Sequence, residues 1–136
     1  MTLDIRSAKD EAKSEFLSVF TQYLEIAWRS TGCTIEQFSL ATTTSAPMDA
    51  SLQGILSAEA HSLQLSNIAI VSGAGHDSAH LSLFAPAAMI FIPCVDGLSH
   101  CAEEFTTSEA IAKGAAVITR SILHLAKKAN FDFLKK

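Results

Sequence analysis

Several ingredients that define common protein classes are scarce in this sequence of 136 residues. Its three cysteines, Cys33, Cys94 and Cys101, form no Cys-x-x-Cys pair, so neither a disulfide framework nor a zinc ribbon is indicated. Lysine and arginine total 10 against 14 acidic residues and form no basic stripe, which argues against a nucleic-acid partner. No apolar run approaches the roughly 18 residues of a membrane span, so no membrane partner is expected.

The N-terminus also lacks the charged-then-apolar pattern of a secretion signal, because Asp4 and Arg6 interrupt it. The cysteines are interpreted as reduced thiols, packed as small apolar residues, and the sequence therefore predicts a cytoplasmic protein. A metal or redox role for Cys94 and Cys101 is the alternative interpretation.

What the sequence does contain is a large apolar share. Hydrophobic residues make up 49% and charged residues 18%, which is typical of an ordered globular protein. The mean hydropathy of +0.27 is high for a chain of 14.5 kDa. We therefore expect strongly apolar strands that pack against material outside this chain.

Apolar periodicity predicts three long helices. Ser7 with Asp10 is the predicted start of the first helix, which ends near Gly32, Asp49 is the predicted cap of the second, and Thr106 with Glu109 of the third. The expected buried faces are Phe16, Val19, Phe20, Tyr23, Leu24 and Ala27 in the first; Leu52, Ile55, Leu56, Ala60 and Leu63 in the second; and Ile111, Ala115, Ile118, Ile122 and Leu125 in the third.

Four shorter segments are predicted as strands, and the fold class is therefore α/β. They are residues 2–6, 33–40, 67–71 and 88–92. The last is apolar on both faces, as in a central strand of a covered sheet. The stretch 41–47 is small, polar and closed by proline, so it is the best candidate linker. A β-α-β piece before that linker has too few strands to close a sheet alone, which predicts a homo-oligomer or a complementing polypeptide.

Two polar clusters bracket the apolar strand and carry the candidate chemistry. Residues 71–77 (VSGAGHD) contain His76, and residues 97–104 (GLSHCAEE) contain His100. An α/β enzyme builds its site in this way, with a buried strand that positions loop side chains.

The order of these motifs resembles the C-terminal signature of a family of metal-dependent amidases. That family comprises the N-carbamoyl-L-amino-acid hydrolases and allantoate amidohydrolases, which are related to aminoacylases and zinc carboxypeptidases. The resemblance lies in residues 72–77 (SGAGHD), 89–93 (MIFIP), 97–100 (GLSH) and 103–106 (EEFT). The opening residues 3–6 (LDIR) are similar to a strand of that family's smaller lid or dimerisation domain.

The resemblance implies a fold, an activity and a role for individual residues. Residues 1–42 would be half of an α+β lid or dimerisation domain, and residues 43–136 the C-terminal part of a zinc-peptidase-like catalytic domain. The implied activity is metal-dependent hydrolysis of a linear amide in a small N-carbamoyl or ureido acid. His100 would bind a metal. Arg6 would bind the substrate carboxylate, as suits a planar guanidinium, Gly75 and His76 would contact the substrate, and Asp77 would orient the His76 ring.

The sequence also departs from that family. Its His-x-Asp metal ligands, its paired glutamates with the general base and a further ligand histidine have no counterpart here, so no catalytic residue is assigned. The complete enzyme would hold zinc, manganese or nickel, whereas this chain alone supplies too few ligands for one. Asp96 stands where the family often has glycine, and Cys101 and Ala102 replace a small polar residue and proline.

Each candidate residue also has an alternative interpretation. His76 with His80 could be an independent metal pair, His100 a hydrogen-bonded histidine at a strand end, and Arg6 a solvated edge charge. Gly73 and Gly75 could serve a turn that needs a positive φ. Three function classes therefore stay open: an amidase subunit completed by another polypeptide, a non-catalytic remnant, and a small carboxylate-binding or interaction domain.

Overall fold

The computed structural model describes residues 2–128 of the chain. The elements are α1 (Asp10–Thr31), α2 (Ala50–Ser62), α3 (Asp77–Leu81), a 3-10 turn (Val95–Gly97) and α4 (Ser108–Lys128). The predicted domains 1–42 and 43–136 both reach beyond this range, since Met1 and residues 129–136 lie outside the described part.

The three long helices predicted from periodicity are confirmed as α1, α2 and α4. Gly32 ends α1 at φ 71°, and its N–H donates to the Trp28 carbonyl at 3.0 Å. Left-handed backbone of this kind is typical of glycine just past a helix. The Asp49 carboxylate accepts from the Leu52 N–H at 2.8 Å, which confirms the predicted cap of α2.

Two of the predicted helix starts are wrong by one or two residues. Ser7 accepts from the Lys9 N–H at 3.1 Å, but α1 begins only at Asp10. Thr107 Oγ1, and not Thr106, accepts from the first turn of α4, through the Ala110 N–H at 3.2 Å. The Thr106 hydroxyl donates instead to the Pro93 carbonyl, and this long-range contact explains the shift.

The four predicted strands form no ladder within residues 2–128. Their segments have irregular, unpaired backbone, so the α/β fold class is not confirmed. A strand exists only through hydrogen bonds to a neighbour, and the described part of this chain offers these segments none.

Segment 87–93 is nonetheless held by three helices. The Asp49 N–H, at the start of α2, donates to the Ala87 carbonyl at 2.8 Å. Ser78 Oγ of α3 lies 3.3 Å from Met89 Sδ. On the third side, Gly114 of α4 lies so close to Ile92 that an added Cβ would be 2.5 Å from Cγ2 of that side chain. The segment that precedes His100 in sequence is therefore positioned mainly by contacts with helices rather than by strand pairing.

The core of the described chain is small. Helices α2 and α4 pack together, and Ala60, Val117 and Ser121 are the side chains buried between them. The predicted inner face of α4 is wrong, because Ile111 and Ile122 are 52% and 60% exposed and the face one position round is buried instead. That neighbouring face contains Gly114, whose lack of a Cβ permits the close approach of Ile92.

Helix α1 packs against no other helix within residues 2–128. Its predicted apolar face is largely open, with Phe16 48% and Tyr23 68% exposed. The whole chain exposes 11183 Å², whereas a folded monomer of this mass exposes about 6,900 Å². The molecule therefore presents apolar surface that its own described residues do not cover.

Candidate functional site

Two parts of the candidate site meet although they are far apart in sequence. Arg6 Nη1 donates to the Gly73 carbonyl oxygen at 2.7 Å, across 67 positions of the chain. Gly73 lies within residues 72–77, the loop that leads into α3 and carries Gly75 and His76. The structure thus brings three sequence-predicted substrate residues, Arg6, Gly75 and His76, to one region.

The remaining N–H groups of Arg6 either donate to Asp4 or have no acceptor within the described chain. Nε and Nη2 donate to the Asp4 carboxylate at 3.1 and 2.6 Å. A guanidinium has five N–H groups, and the contacts with Asp4 and Gly73 occupy three of them. One N–H on each terminal nitrogen is left uncommitted within the described chain and can donate to a further acceptor.

The electrostatics of this pair are mutual. The hydrogen bond from Arg6 lowers the pKa of Asp4, and the same bond raises the pKa of Arg6. Both side chains are exposed, so the ion pair is of the weak surface kind. Arg6 also lines an open cavity of about 420 Å³ with Lys13 and Phe16 of α1. A small molecule therefore has room beside the guanidinium, and the Asp4 carboxylate lines the same cavity.

His76 is the residue that precedes α3, and two contacts hold its ring. Nε2 lies 2.7 Å from Ser72 Oγ. The ring meets Phe91 edge-on, with centroids 5.5 Å apart and planes at 62°. Asp77 is the first residue of α3 and is exposed, so its predicted role toward His76 stays a prediction.

The turn interpretation of Gly73 and Gly75 is wrong. In the described chain the glycines with positive φ are Gly32 and Gly97. A Cβ at Gly73 or Gly75 would meet nothing within 4 Å, so an empty space lies beside this loop. The glycines leave the backbone of the loop open to an incoming molecule, which is compatible with their predicted place beside a substrate.

His100 lies on a tightly turned loop after the 3-10 turn. Its φ is 59°, and Asp96 and Gly97 also have positive φ, at 55° and 66°. The Glu104 carboxylate accepts from the His100 N–H at 2.8 Å and so closes the loop. Unusual backbone of this kind in non-glycine residues is concentrated at functional sites. Neither the strained turn nor the bond to Glu104 was predicted from the sequence.

The described residues do not by themselves fit a catalytic metal. Within residues 2–128 no group of three His, Cys, Asp or Glu side chains could hold an ion. Neither the His76 and His80 pair nor His100 belongs to a group of three candidate ligands in this range. A catalytic zinc site needs three protein ligands, so further ligands would have to come from elsewhere.

A second polar cluster, which the sequence analysis missed, links α2 to α4. Glu59 accepts from Arg120 Nε at 2.8 Å through one oxygen and from His124 Nδ1 at 3.0 Å through the other. The bond from Arg120, then that from His124, lowers the pKa of Glu59. These side chains, with Leu123 and Lys127, line a cavity of about 290 Å³. Nothing in the sequence indicates that these charged residues, which lie on two separate helices, come into contact.

Comparison with known proteins assigns the chain to a family. The model of peptidase family M20/M25/M40 matches residues 6–124, and the chain belongs to that family. No helix in the described residues is long and apolar enough to cross a membrane.

Several relatives of this chain are hydrolases. The chain is 35% identical over 129 residues to an N-carbamoyl-L-amino-acid amidohydrolase of Rhizobium meliloti, which covers 93% of this chain and 30% of that protein. It is 29% identical over 127 residues to an uncharacterized hydrolase of Haemophilus influenzae, covering 93% and 31%. It is 27% identical over 126 residues to a ureidoglycolate hydrolase of Oryza sativa, covering 91% and 26%. The chain spans about a third of the length of such relatives, and their names support the resemblance to linear-amide hydrolases.

Proposed function

We propose that this chain supplies the carboxylate-recognition part, and one metal ligand, of an amidohydrolase that acts on N-carbamoyl amino acids or related ureido acids. Arg6 binds the substrate carboxylate, His76 and Gly75 lie along the substrate, and His100 is the single ligand that this chain contributes to a divalent metal. The observation that carries the proposal is the bond from Arg6 to the Gly73 carbonyl, which places Arg6 beside the loop that carries Gly75 and His76.

The donor count of Arg6 supports the substrate class. Its two uncommitted N–H groups are charged donors of the kind that a carboxylate accepts. N-carbamoyl amino acids and ureido acids each carry a carboxylate beside a linear amide, and the named relatives include hydrolases of such compounds. M20 proteins are generally metal-dependent, so the amide would be cleaved next to a metal whose other ligands lie outside this chain.

We further propose that a complementing polypeptide, or a second copy of this chain, completes the fold. The unpaired segments 67–71 and 88–92 would then become strands of an α/β catalytic domain, with residues 1–42 as part of the lid. The open face of α1 and the excess exposed area support this step. On this proposal the chain alone does not hydrolyse amides.

Ligand binding by the isolated chain is the first test. Calorimetric titration with N-carbamoyl-L-alanine should give binding that the corresponding carboxamide does not reproduce. Arg6→Gln should abolish it, while Arg6→Lys, which keeps the charge but loses the fork, should weaken it by about tenfold. Equal binding of acid and carboxamide would contradict the assignment of Arg6.

Complementation is the second test. Co-production with the first two thirds of the Rhizobium meliloti relative, with added zinc, manganese or nickel, should restore ammonia release from N-carbamoyl-L-alanine. His100→Ala should remove that activity, and His61→Ala, an exposed histidine of α2, is the matched control. Activity that survives His100→Ala would refute its role as a ligand. Carboxylate binding without any restored hydrolysis would favour the second candidate, a carboxylate-binding domain without catalysis.

A further inference from the structure

The hydroxyl group of Ser72 makes three contacts inside the loop 72–77. Its oxygen accepts from the Ala74 N–H at 3.2 Å, lies 3.3 Å from the Ala74 carbonyl oxygen, and lies 2.7 Å from His76 Nε2. A serine hydroxyl has one proton, so the hydroxyl can donate either to the carbonyl or to the imidazole, but not to both.

The lengths of these contacts decide between the two acceptors. A separation of 2.7 Å is optimal for a hydroxyl donor and at the short limit for an imidazole N–H donor, whereas 3.3 Å is beyond the ordinary range of a hydroxyl. From this geometry we propose that Ser72 donates to Nε2 and thereby fixes His76 as the neutral tautomer that carries its proton on Nδ1. The proton is assigned from these lengths, and the bond at one ring nitrogen determines the state of the other.

The orientation of the His76 ring is fixed as well as its tautomer. Ser72 holds one edge of the ring while Phe91 meets it at 62°, and the residue is half-buried. Within residues 2–128 the hydrogen bond to the ring comes from Ser72, so the Nδ1–H remains available. His76 therefore presents a hydrogen-bond donor in a fixed direction.

Like the N–H groups of Arg6, the Nδ1–H of His76 can donate a hydrogen bond to an oxygen of the substrate. The Gly73 carbonyl that accepts from Arg6 belongs to the residue after Ser72, so one short loop connects both groups. On the proposed function, on which this step rests, Arg6 takes the carboxylate and the Nδ1–H of His76 donates to a second substrate oxygen. Ser72 acts only through His76 and is a positioning residue.

The experiment is nitrogen-15 NMR of the imidazole rings in the full chain, under alkaline conditions where imidazoles are neutral. The five histidines are assigned with the help of His76→Gln. We expect wild-type His76 to carry its proton on Nδ1. Ser72→Ala should shift the population toward protonated Nε2, and Ser72→Thr, which keeps the hydroxyl, should restore it. Unchanged signals from the other histidines and an unchanged far-UV circular dichroism spectrum control for folding.

Two results would overturn the inference: a wild-type His76 that carries its proton on Nε2, or a Ser72→Ala variant with the wild-type tautomer. Neither result requires substrate or catalysis, so the NMR test of Ser72 is independent of the proposed function. Titration with N-carbamoyl-L-alanine tests that function separately, and we expect Ser72→Ala to weaken binding about 5- to 10-fold, as for one lost hydrogen bond. The predicted tautomer without any binding would refute the proposed function and leave the role of Ser72 intact.

Discussion

Gly114 is the position at which α4 makes a close approach to segment 87–93, and Gly114→Ala tests that packing. The new Cβ would lie 2.5 Å from Ile92 Cγ2 and 3.8 Å from Ile90 Cδ1. Cγ2 is bonded directly to the β-carbon of a branched side chain, so it cannot swing aside as a flexible chain end would. Overpacking of this kind costs about 1–3 kcal/mol.

The same substitution also changes helix propensity, in the opposite direction. Replacing glycine by alanine inside a helix stabilises it by about 1 kcal/mol, so Gly114→Ala should destabilise the chain by about 0–2 kcal/mol net. Gly54 is the matched control, because it lies inside α2 and a Cβ there would meet nothing within 4 Å. Gly54→Ala should therefore stabilise by about 1 kcal/mol.

Urea unfolding followed by circular dichroism measures both variants, with the midpoint compared at constant slope. The difference between them should be about 1–3 kcal/mol and should shrink when Ile92→Ala removes Cγ2 in a double-mutant cycle. If Gly114→Ala were as stabilising as Gly54→Ala, α4 would not pack on Ile92 in solution and the described position of the segment would be wrong.

The backbone at Asp96 and the cluster around Glu59 give two further predictions. Asp96 is at φ 55°, so Asp96→Ala should be less stable than Asp96→Gly by about 1 kcal/mol in the same urea assay, and equal midpoints would contradict a left-handed turn. Hydrogen bonds from Arg120 and His124 lower the pKa of Glu59 from its ordinary value of 4.5. The ionised form of Glu59 therefore contributes stability above pH 4.5, and this stability is lost as the pH falls through the lowered pKa. Glu59→Gln should therefore lower Tm at pH 7 and converge with the wild type in strong acid. The more exposed Glu109→Gln is the control, and a change no larger than its own would argue against the cluster.

Helix location was predictable because each long helix repeats apolar residues with its own period. The buried face of α4 was not, since the helix carries two apolar stripes one position apart. Ile118 belongs to the predicted stripe and is 44% exposed, while Val117 belongs to its neighbour and is buried. Which stripe is buried depends on the packing partner. In the described chain α2 packs against α4 and Ile92 packs against Gly114, so the stripe that contains Gly114 and Val117 is the buried one.

Strands differ from helices in what the sequence can guarantee. A helix satisfies its backbone within one segment, whereas residues 88–92 need hydrogen bonds from other segments to become a strand. The apolar character of these residues was read correctly, but a paired ladder requires neighbours that residues 2–128 do not provide. The α/β prediction therefore remains a proposal about the completed protein.

The motifs predicted part of the candidate site, and the other part became clear only from the structure. The motif at residues 72–77 selected Gly75 and His76, but neither periodicity nor spacing links Arg6 to Gly73, 67 residues away. The partner of the His76 ring was also unforeseen, because Ser72 reads simply as a turn residue. The roles of these residues toward a substrate, and that of His100 toward a metal, stay predictions.

Asp96 illustrates how a departure from a family pattern is understood once its backbone is known. It stands where the resembled family often has glycine. Its φ of 55° and that of Gly97 at 66° give a simpler reason for glycine at this turn. Aspartate is among the residues that tolerate this conformation best. The substitution therefore preserves the turn before His100, and backbone geometry accounts for it without any role for the carboxylate in metal binding.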